Sequence, residues 1–92
     1  MFFHEILDDV LAGKRATRKD WNGKGMFIYY VPPKTYTAAK YYDRGTLTDH
    51  ERLTNTVKEC GHMILYNDKG ERVIGWLVSQ TDLTSDQWEL LR

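Results

Sequence analysis

The first eleven residues carry an apolar stripe with helical spacing. Its members recur every three or four positions on one face of an α-helix: Phe3, Ile6, Leu7, Val10 and Leu11. Gly13 follows the stripe and is suited to end the helix in a left-handed conformation. A helix with one apolar face has to bury that face against another layer, and a β-sheet is the partner that the rest of the chain offers.

Short β-strands are predicted downstream. The clearest covers residues 26–31, a run of β-forming side chains that stops at a Pro-Pro pair. A shorter strand is centred on Ala16 and Thr17, and a turn at residues 20–25 separates the two. The other strand signals lie at residues 57–66 and 71–77, around a turn at 67–70, and at residues 88–91. The pattern predicts an α+β fold: an N-terminal amphipathic helix packed on a small antiparallel β-sheet.

Residues 34–55 show no clean period and predict a long middle loop. Within it, Thr48 is followed three residues later by Glu51, a capping-box pattern that predicts a short helix. The same pattern at Thr84 and Gln87 predicts a helical turn before the last strand. Loops of this length are often functional, so we expect the middle loop to cover a ligand or to reach a neighbouring subunit.

The size and composition limit the classes of protein. A chain of 92 residues predicts one domain, residues 1–92, with a modest core. Aromatic residues make up 13% of it and are common at subunit interfaces, so we expect a homo-oligomer. The 13 basic and 13 acidic residues balance, which argues against binding polymeric nucleic acid. The lone cysteine and the lack of a membrane span or signal peptide predict a soluble cytoplasmic protein.

The sequence lacks the common catalytic and metal-binding motifs. The three histidines do not form a zinc-protease pattern, and no Gly-x-Ser-x-Gly is present. Cys60 and His62 lie two residues apart, but a zinc site takes three or four ligands, so we interpret them as a semi-buried thiol and a hydrogen-bonded imidazole. We therefore expect no catalytic residues, no metal and no cofactor.

Two tryptophan-centred segments carry binding chemistry instead. Each places an aromatic ring, which can stack on a base, beside polar groups that can bind ring edges, hydroxyls or phosphate. The predicted ligand-binding residues are Trp21, Asn22, Lys24, Ser79, Gln80, Thr81 and Asp82. These residues predict that the single domain, residues 1–92, binds a ligand. The structural alternative is that the tryptophans are core anchors and that the polar residues form turns and caps.

The same segments resemble a known family. The relevant stretches are residues 18–27, from Arg-Lys-Asp-Trp to Gly-Met-Phe, residues 76–83, Trp-Leu-Val-Ser-Gln-Thr-Asp-Leu, and residues 86–89, Asp-Gln-Trp-Glu. Together they resemble a family of small phage and prophage proteins that suppress the bacterial Thoeris defence system. The resemblance covers residues 3–33 and 57–91.

The resemblance implies a sponge. Thoeris uses a cyclic ADP-ribose isomer, glycocyclic ADP-ribose, to switch on an NAD-depleting effector. Proteins of this family are non-catalytic binders that sequester the signal in the host bacterial cytoplasm and assemble as homotetramers. The implied partner is thus a small cyclic nucleotide, held by residues of the two tryptophan segments.

Two other classes of function stay open. Tyr36, Tyr41 and Tyr42 would form a protein-interaction surface if they are exposed together, and the chain would then inhibit a host protein. A nucleotide hydrolase needs a convergent acid and base, for which Asp82 and Asp86 on one helical turn are the candidates.

Overall fold

The structure is a computed structural model that describes residues 1–21 and 25–91. The chain divides into two compact units, Met1–Val31 with His62–Arg92, and Pro32–Gly61. They are called the first and the second unit below, and each is described by itself. That residues 1–92 act as one ligand-binding domain stays a prediction.

Helix α1 (Phe3–Leu11) opens the first unit, as the apolar stripe predicts. Its inward face is buried at Phe3, Ile6 and Val10. Gly13, with φ +108°, ends the helix, and its N–H donates to the Val10 carbonyl at 3.0 Å. This left-handed residue turns the chain back toward the sheet.

The sheet of the first unit has five antiparallel strands. In chain order they are β1 (Arg15–Arg18), β2 (Phe27–Val31), β5 (His62–Tyr66), β6 (Arg72–Ile74) and β7 (Trp88–Leu91). In space they follow the order β6-β5-β2-β1-β7. Ala16 pairs with Ile28 and Leu90, and Ile28 pairs with Leu65, so these apolar side chains share one face. The α+β fold class is confirmed.

Helix α1 covers that face and closes the core. The buried cluster comprises Phe3, Ile6, Val10, Ala16, Ile28 and Trp88. Trp88 is fully buried, and three aromatic rings meet it edge to face. Its indole N–H donates to the Asp82 carbonyl at 2.7 Å, so the polar atom of the largest core residue is also paired.

The hairpin prediction is wrong in two respects. Residues 57–66 do not form one strand: β4 (Thr56–Glu59) and β5 are separated by Cys60 and Gly61 and lie in different sheets. The return strand ends at Ile74 because Gly75 and Trp76 both donate their N–H to the Met63 carbonyl, at 3.0 and 2.9 Å. Two residues opposite one make a β-bulge, which interrupts the ladder. The turn at residues 67–70 is confirmed, with Gly70 at φ +76°.

The last helix begins earlier than the sequence pattern predicts. Helix α3 (Gln80–Thr84) is capped by Ser79, with Asp82 as the reciprocal partner. Thr84 and Gln87 therefore do not form the predicted capping box, since Thr84 is the last residue of the helix. The terminal strand follows as predicted.

The second unit contains more regular structure than the predicted loop. Strand β3 (Lys34–Thr37) pairs with β4, and between them lie two 3₁₀ turns (Ala38–Lys40 and Arg44–Thr46) and helix α2 (Asp49–Thr54). The capping box at Thr48 and Glu51 is confirmed: the Glu51 N–H donates to the Thr48 hydroxyl at 3.1 Å, and the Glu51 carboxylate accepts from the Thr48 N–H at 2.9 Å. The elements are too short to show a period in the sequence.

Truncating Trp88 tests the role of this residue in the core. Trp88→Ala is expected to lower the free energy of unfolding by about 3–5 kcal/mol, because a fully buried ring is lost and a cavity remains. Trp88→Phe keeps much of the packing but leaves the Asp82 carbonyl without its donor, at a cost of ~1–3 kcal/mol. Chemical denaturation measures both. Leu53→Ala, at a side chain that is 85% exposed, is the control and should change stability by less than about 0.5 kcal/mol. Equal losses at Trp88 and Leu53 would contradict this assignment.

Candidate ligand-binding site

Arg18 links the two tryptophan-centred segments. It ends strand β1 on the same face as Ala16, and its side chain is only 10% exposed. One guanidinium nitrogen donates to Asp82 Oδ1 at 2.7 Å. The Nε and the other terminal nitrogen donate to the two carboxylate oxygens of Asp20, at 3.1 and 2.7 Å. The Arg18 side chain thus holds Asp20, which begins the turn after β1, against helix α3.

Asp82 is a buried carboxylate that is fully engaged. Its Oδ2 accepts from the Ser79 hydroxyl at 2.7 Å and from the Ser79 N–H at 3.4 Å, while Oδ1 binds Arg18. Burial alone raises the pKa of Asp82, but the hydrogen bonds from Ser79 and Arg18 outweigh it, and the net pKa lies below the ordinary value. For Arg18, burial alone lowers the pKa, but the hydrogen bonds to Asp20 and Asp82 outweigh it, and the pKa lies above the ordinary value. Both groups are therefore charged at neutral pH.

Trp21, the residue after Asp20, contacts both Arg18 and Trp88. The ring is half-buried and packs edge to face against Trp88, with the centroids 5.3 Å apart. Trp88 in turn donates to the Asp82 carbonyl. The Trp21 N–H donates to the Arg18 carbonyl at 3.2 Å, which fixes the turn to the end of β1. Trp21 and Asp82 are therefore neighbours through Trp88 and Arg18, although 61 positions separate them in the sequence.

The other predicted site residues divide into three groups. Ser79 caps helix α3. Gln80 and Thr81 lie in the first turn of that helix with exposed side chains. Asn22 and Lys24 lie outside the described residues. The structure therefore brings Trp21 together with the segment 79–82, and the contacts of Ser79 and Asp82 are those of the structural alternative, a local cap.

Sequence reasoning missed the role of Arg18 as the residue that joins the segments. The signal was present, because Arg18 follows Ala16 by two positions and a strand places such residues on one face. An arginine on the core side of a strand needs a buried carboxylate, and Asp82 supplies it.

The acid–base geometry proposed for a hydrolase is not formed. Helix α3 ends at Thr84, so Asp82 and Asp86 do not share a helical turn. Asp86 is exposed and accepts a bond from the Gln87 amide at 2.9 Å. Within residues 1–21 and 25–91, no three His, Cys, Asp or Glu side chains are placed to hold a metal ion. Cys60 is exposed rather than semi-buried.

The tyrosines of the second unit form a cluster of their own. Tyr36 meets Tyr41 and Tyr42 edge to face, with centroids 5.4 and 6.3 Å apart. The hydroxyls of Tyr41 and Tyr42 both donate to one oxygen of Glu59, at 2.7 and 2.8 Å. The bonds of Tyr41 to Tyr42 and to Glu59 raise the pKa of the Tyr41 phenol. Tyr42 is 76% exposed, so the cluster presents an aromatic face to solvent.

Comparison with known proteins decides the family. The sequence model of the Tad2-like family, the Thoeris anti-defense 2-like domain, matches residues 1–91. The chain belongs to this family. It is 25% identical over 91 residues to the Thoeris anti-defense 2 protein of Bacillus phage SP01, a match that spans 99% of this chain and 94% of the relative. The resemblance noted in the sequence is confirmed, and family membership supports an anti-Thoeris function. No helix in the described part of the chain is long and apolar enough to cross a membrane.

Acidification tests the Asp82 carboxylate. Its pKa in the folded state lies below the ordinary value of 3.8, so the charged form stabilises the fold above about pH 4, and this contribution is lost as the pH falls through the lower folded pKa. Asp82→Asn should therefore be less stable than the wild type at pH 7, and the gap should narrow toward about pH 3. Denaturant titrations across this range measure it. Asp68→Asn, in an exposed turn, is the control and should follow the wild type. A gap that stays constant with pH would contradict the prediction.

Proposed function

We propose that this chain is a non-catalytic sponge that binds and sequesters a cyclic ADP-ribose-type signal, glycocyclic ADP-ribose, and so suppresses Thoeris. The observation that carries the proposal is the convergence of Trp21 with the first turn of helix α3, through Trp88 and Arg18. An aromatic face beside exposed polar side chains suits an adenine base and ribose hydroxyls.

The contacts assign different work to different residues. Trp21 offers the ring for stacking, and the exposed side chains of Gln80 and Thr81 offer groups for hydroxyls and base edges. Arg18 and Asp82 hold these elements in place, because their charges are already paired with each other. A site held by internal bonds before the ligand arrives loses less entropy on binding, which favours tight capture.

The state of the Asp82 carboxylate favours a binder that does no chemistry on its ligand. A general acid or base has to exchange a proton near neutral pH, whereas the pKa of Asp82 is lowered and both of its oxygens accept bonds. The proposed mechanism is mass action, in which the sponge keeps the free signal below the threshold of the effector. Nanomolar affinity, about −12 kcal/mol, is the scale that such capture requires.

The proposal includes a homotetramer in the cytoplasm of the host bacterium. Apolar side chains of the first unit are exposed in the single chain, among them Ile74 at 73% and Leu77 at 85%. Strand β6 is also an edge of the sheet and can pair with another strand. A phage protein that acts against a bacterial defence system works inside the host cell, where the signal is made.

A second candidate function rests on the tyrosine cluster. Tyr36, Tyr41 and Tyr42 lie together, and Tyr42 is exposed, which is the arrangement expected of a protein-interaction surface. In that case the chain would inhibit a host protein rather than capture a nucleotide.

The bound signal should be released intact. Purified protein is loaded with glycocyclic ADP-ribose, washed and heated, and the released material is applied to the NAD-depleting effector. Sequestration predicts full activation and an unchanged mass, because no bond of the ligand is broken. Buffer from unloaded, heated protein is the control. Cleaved or inactive material would instead support a hydrolase.

Paired variants separate the two candidate functions. Trp21→Ala should weaken signal binding by about 1–3 kcal/mol, the range of base–aromatic stacking, whereas Tyr42→Ala should leave it unchanged. Calorimetry measures the affinity, and light scattering checks that both variants keep the mass of a tetramer. Trp21→Phe retains a ring against Trp88 and should bind with intermediate affinity, which separates stacking from a loss of packing. If Tyr42→Ala abolishes Thoeris suppression while Trp21→Ala retains it, the protein-interaction function is correct.

A further inference from the structure

The second unit contains a surface cavity, open to solvent, of about 380 Å³. It is lined by Ala38, Ala39, Arg44, Leu47, Arg52 and Asn55. None of these residues belongs to the binding site described above, and all of them lie in residues 34–55, the predicted middle loop. A cavity of this volume falls in the range of small-molecule sites.

The backbone around the cavity is held by hydrogen bonds. The Ala38 N–H donates to the Asn55 carbonyl at 3.1 Å, which ties the first 3₁₀ turn to the end of helix α2. The Leu47 N–H donates to the Arg44 carbonyl at 3.4 Å and closes the second 3₁₀ turn. The Arg52 N–H donates to the Thr48 carbonyl at 3.1 Å, inside a helix whose start is capped. Each segment that carries lining side chains therefore has a backbone hydrogen bond, and the first 3₁₀ turn is tied to the end of helix α2.

The charged side chains that line the cavity are positive. Arg44 and Arg52 both line the cavity, and within the described part of the chain neither guanidinium forms an ion pair or hydrogen bond. Among the described residues, no carboxylate lines the cavity: Asp43 and Asp49 are absent from its wall, and the Glu51 carboxylate accepts a hydrogen bond from the Thr48 N–H. Both arginine side chains are exposed, so each can bind an anion that enters the cavity from solvent.

The other lining residues indicate which class of anion the cavity can bind. Ala38, Ala39 and Leu47 are apolar, and Asn55 adds an amide. Two guanidinium forks match the several oxygens of a phosphate, which accepts paired bonds from each. The cavity is larger than a phosphate alone would fill, and its apolar side suits a small organic remainder.

We propose that this cavity is a binding site for a small organic phosphate, held through Arg44 and Arg52. The site is independent of signal capture at Trp21, and it gives the middle segment a ligand of its own.

Calorimetry of the full chain with ribose 5-phosphate, ribose and inorganic phosphate tests the proposal. Ribose 5-phosphate should bind, inorganic phosphate should bind more weakly, and ribose should not bind. Arg44→Gln and Arg52→Gln should each weaken ribose 5-phosphate binding at least about tenfold, as expected for a lost hydrogen bond to a charged group. Arg52→Lys, which keeps the charge but not the fork, should fall between Arg52→Gln and the wild type.

The controls separate a site from general attraction to a positive surface. Lys58→Gln removes one positive charge from the same unit outside this cavity and should leave binding unchanged. NMR provides a second measurement on the wild type, in which the side-chain Nε–H resonances of Arg44 and Arg52 should shift as ribose 5-phosphate is added. Equal binding of ribose, equal weakening in Lys58→Gln, unaltered binding in the Arg44→Gln and Arg52→Gln double variant, or arginine resonances that do not move would each overturn the proposal.

Discussion

The indole of Trp88 is the contact on which the first unit depends. Three aromatic rings meet the indole edge to face: Phe3 of helix α1, Trp21 in the turn after β1, and Trp76 in the segment after β6. The N–H of the ring binds the Asp82 carbonyl. Four separate stretches of chain thus share one buried side chain, so their relative positions are set together rather than pair by pair.

The buried ion pair between Arg18 and Asp82 is a second link between helix α3 and the sheet. The Trp88 bond fixes the backbone of helix α3, and Arg18 fixes the Asp82 side chain. Removing one partner of such a pair leaves an uncompensated charge away from water, so the two charges tie the helix to the sheet even where their net contribution to stability is small. The exposed residues Gln80 and Thr81 take their position from this pair.

The sequence predicted the elements whose signals are local. The stripe on α1, the Thr48 cap and the last strand follow from spacing and residue type alone. Elements decided by distant contacts were harder to predict. Ser79 and Thr84 both head a capping pattern, and Ser79 prevails where Asp82 is held by Arg18, far away in the sequence.

The same distinction holds for the candidate site. Residue types predicted that Trp21 and the segment 79–82 bind a ligand, but which of these residues form a cap and which are exposed depends on the three-dimensional contacts. Residues 57–66 were predicted as one strand because Cys60 and Gly61 do not break the β pattern, although the chain changes sheets there.

The β-bulge opposite Met63 has a consequence for which side chains face the core. Side chains alternate across a strand, and Val73 pairs with Leu65 on the helix-covered face, so Trp76 would point away from that face in an uninterrupted ladder. By placing both Gly75 and Trp76 opposite one residue, the bulge reverses the alternation and turns the tryptophan inward, while Leu77 is left exposed. If Gly75 alone paired with Met63 in a regular ladder, Trp76 would point outward and Leu77 would point toward the core. The bulge therefore decides which of these two side chains is buried. Deleting Gly75 would remove the bulge and restore a regular ladder in which Trp76 lies directly opposite Met63 and still faces the core.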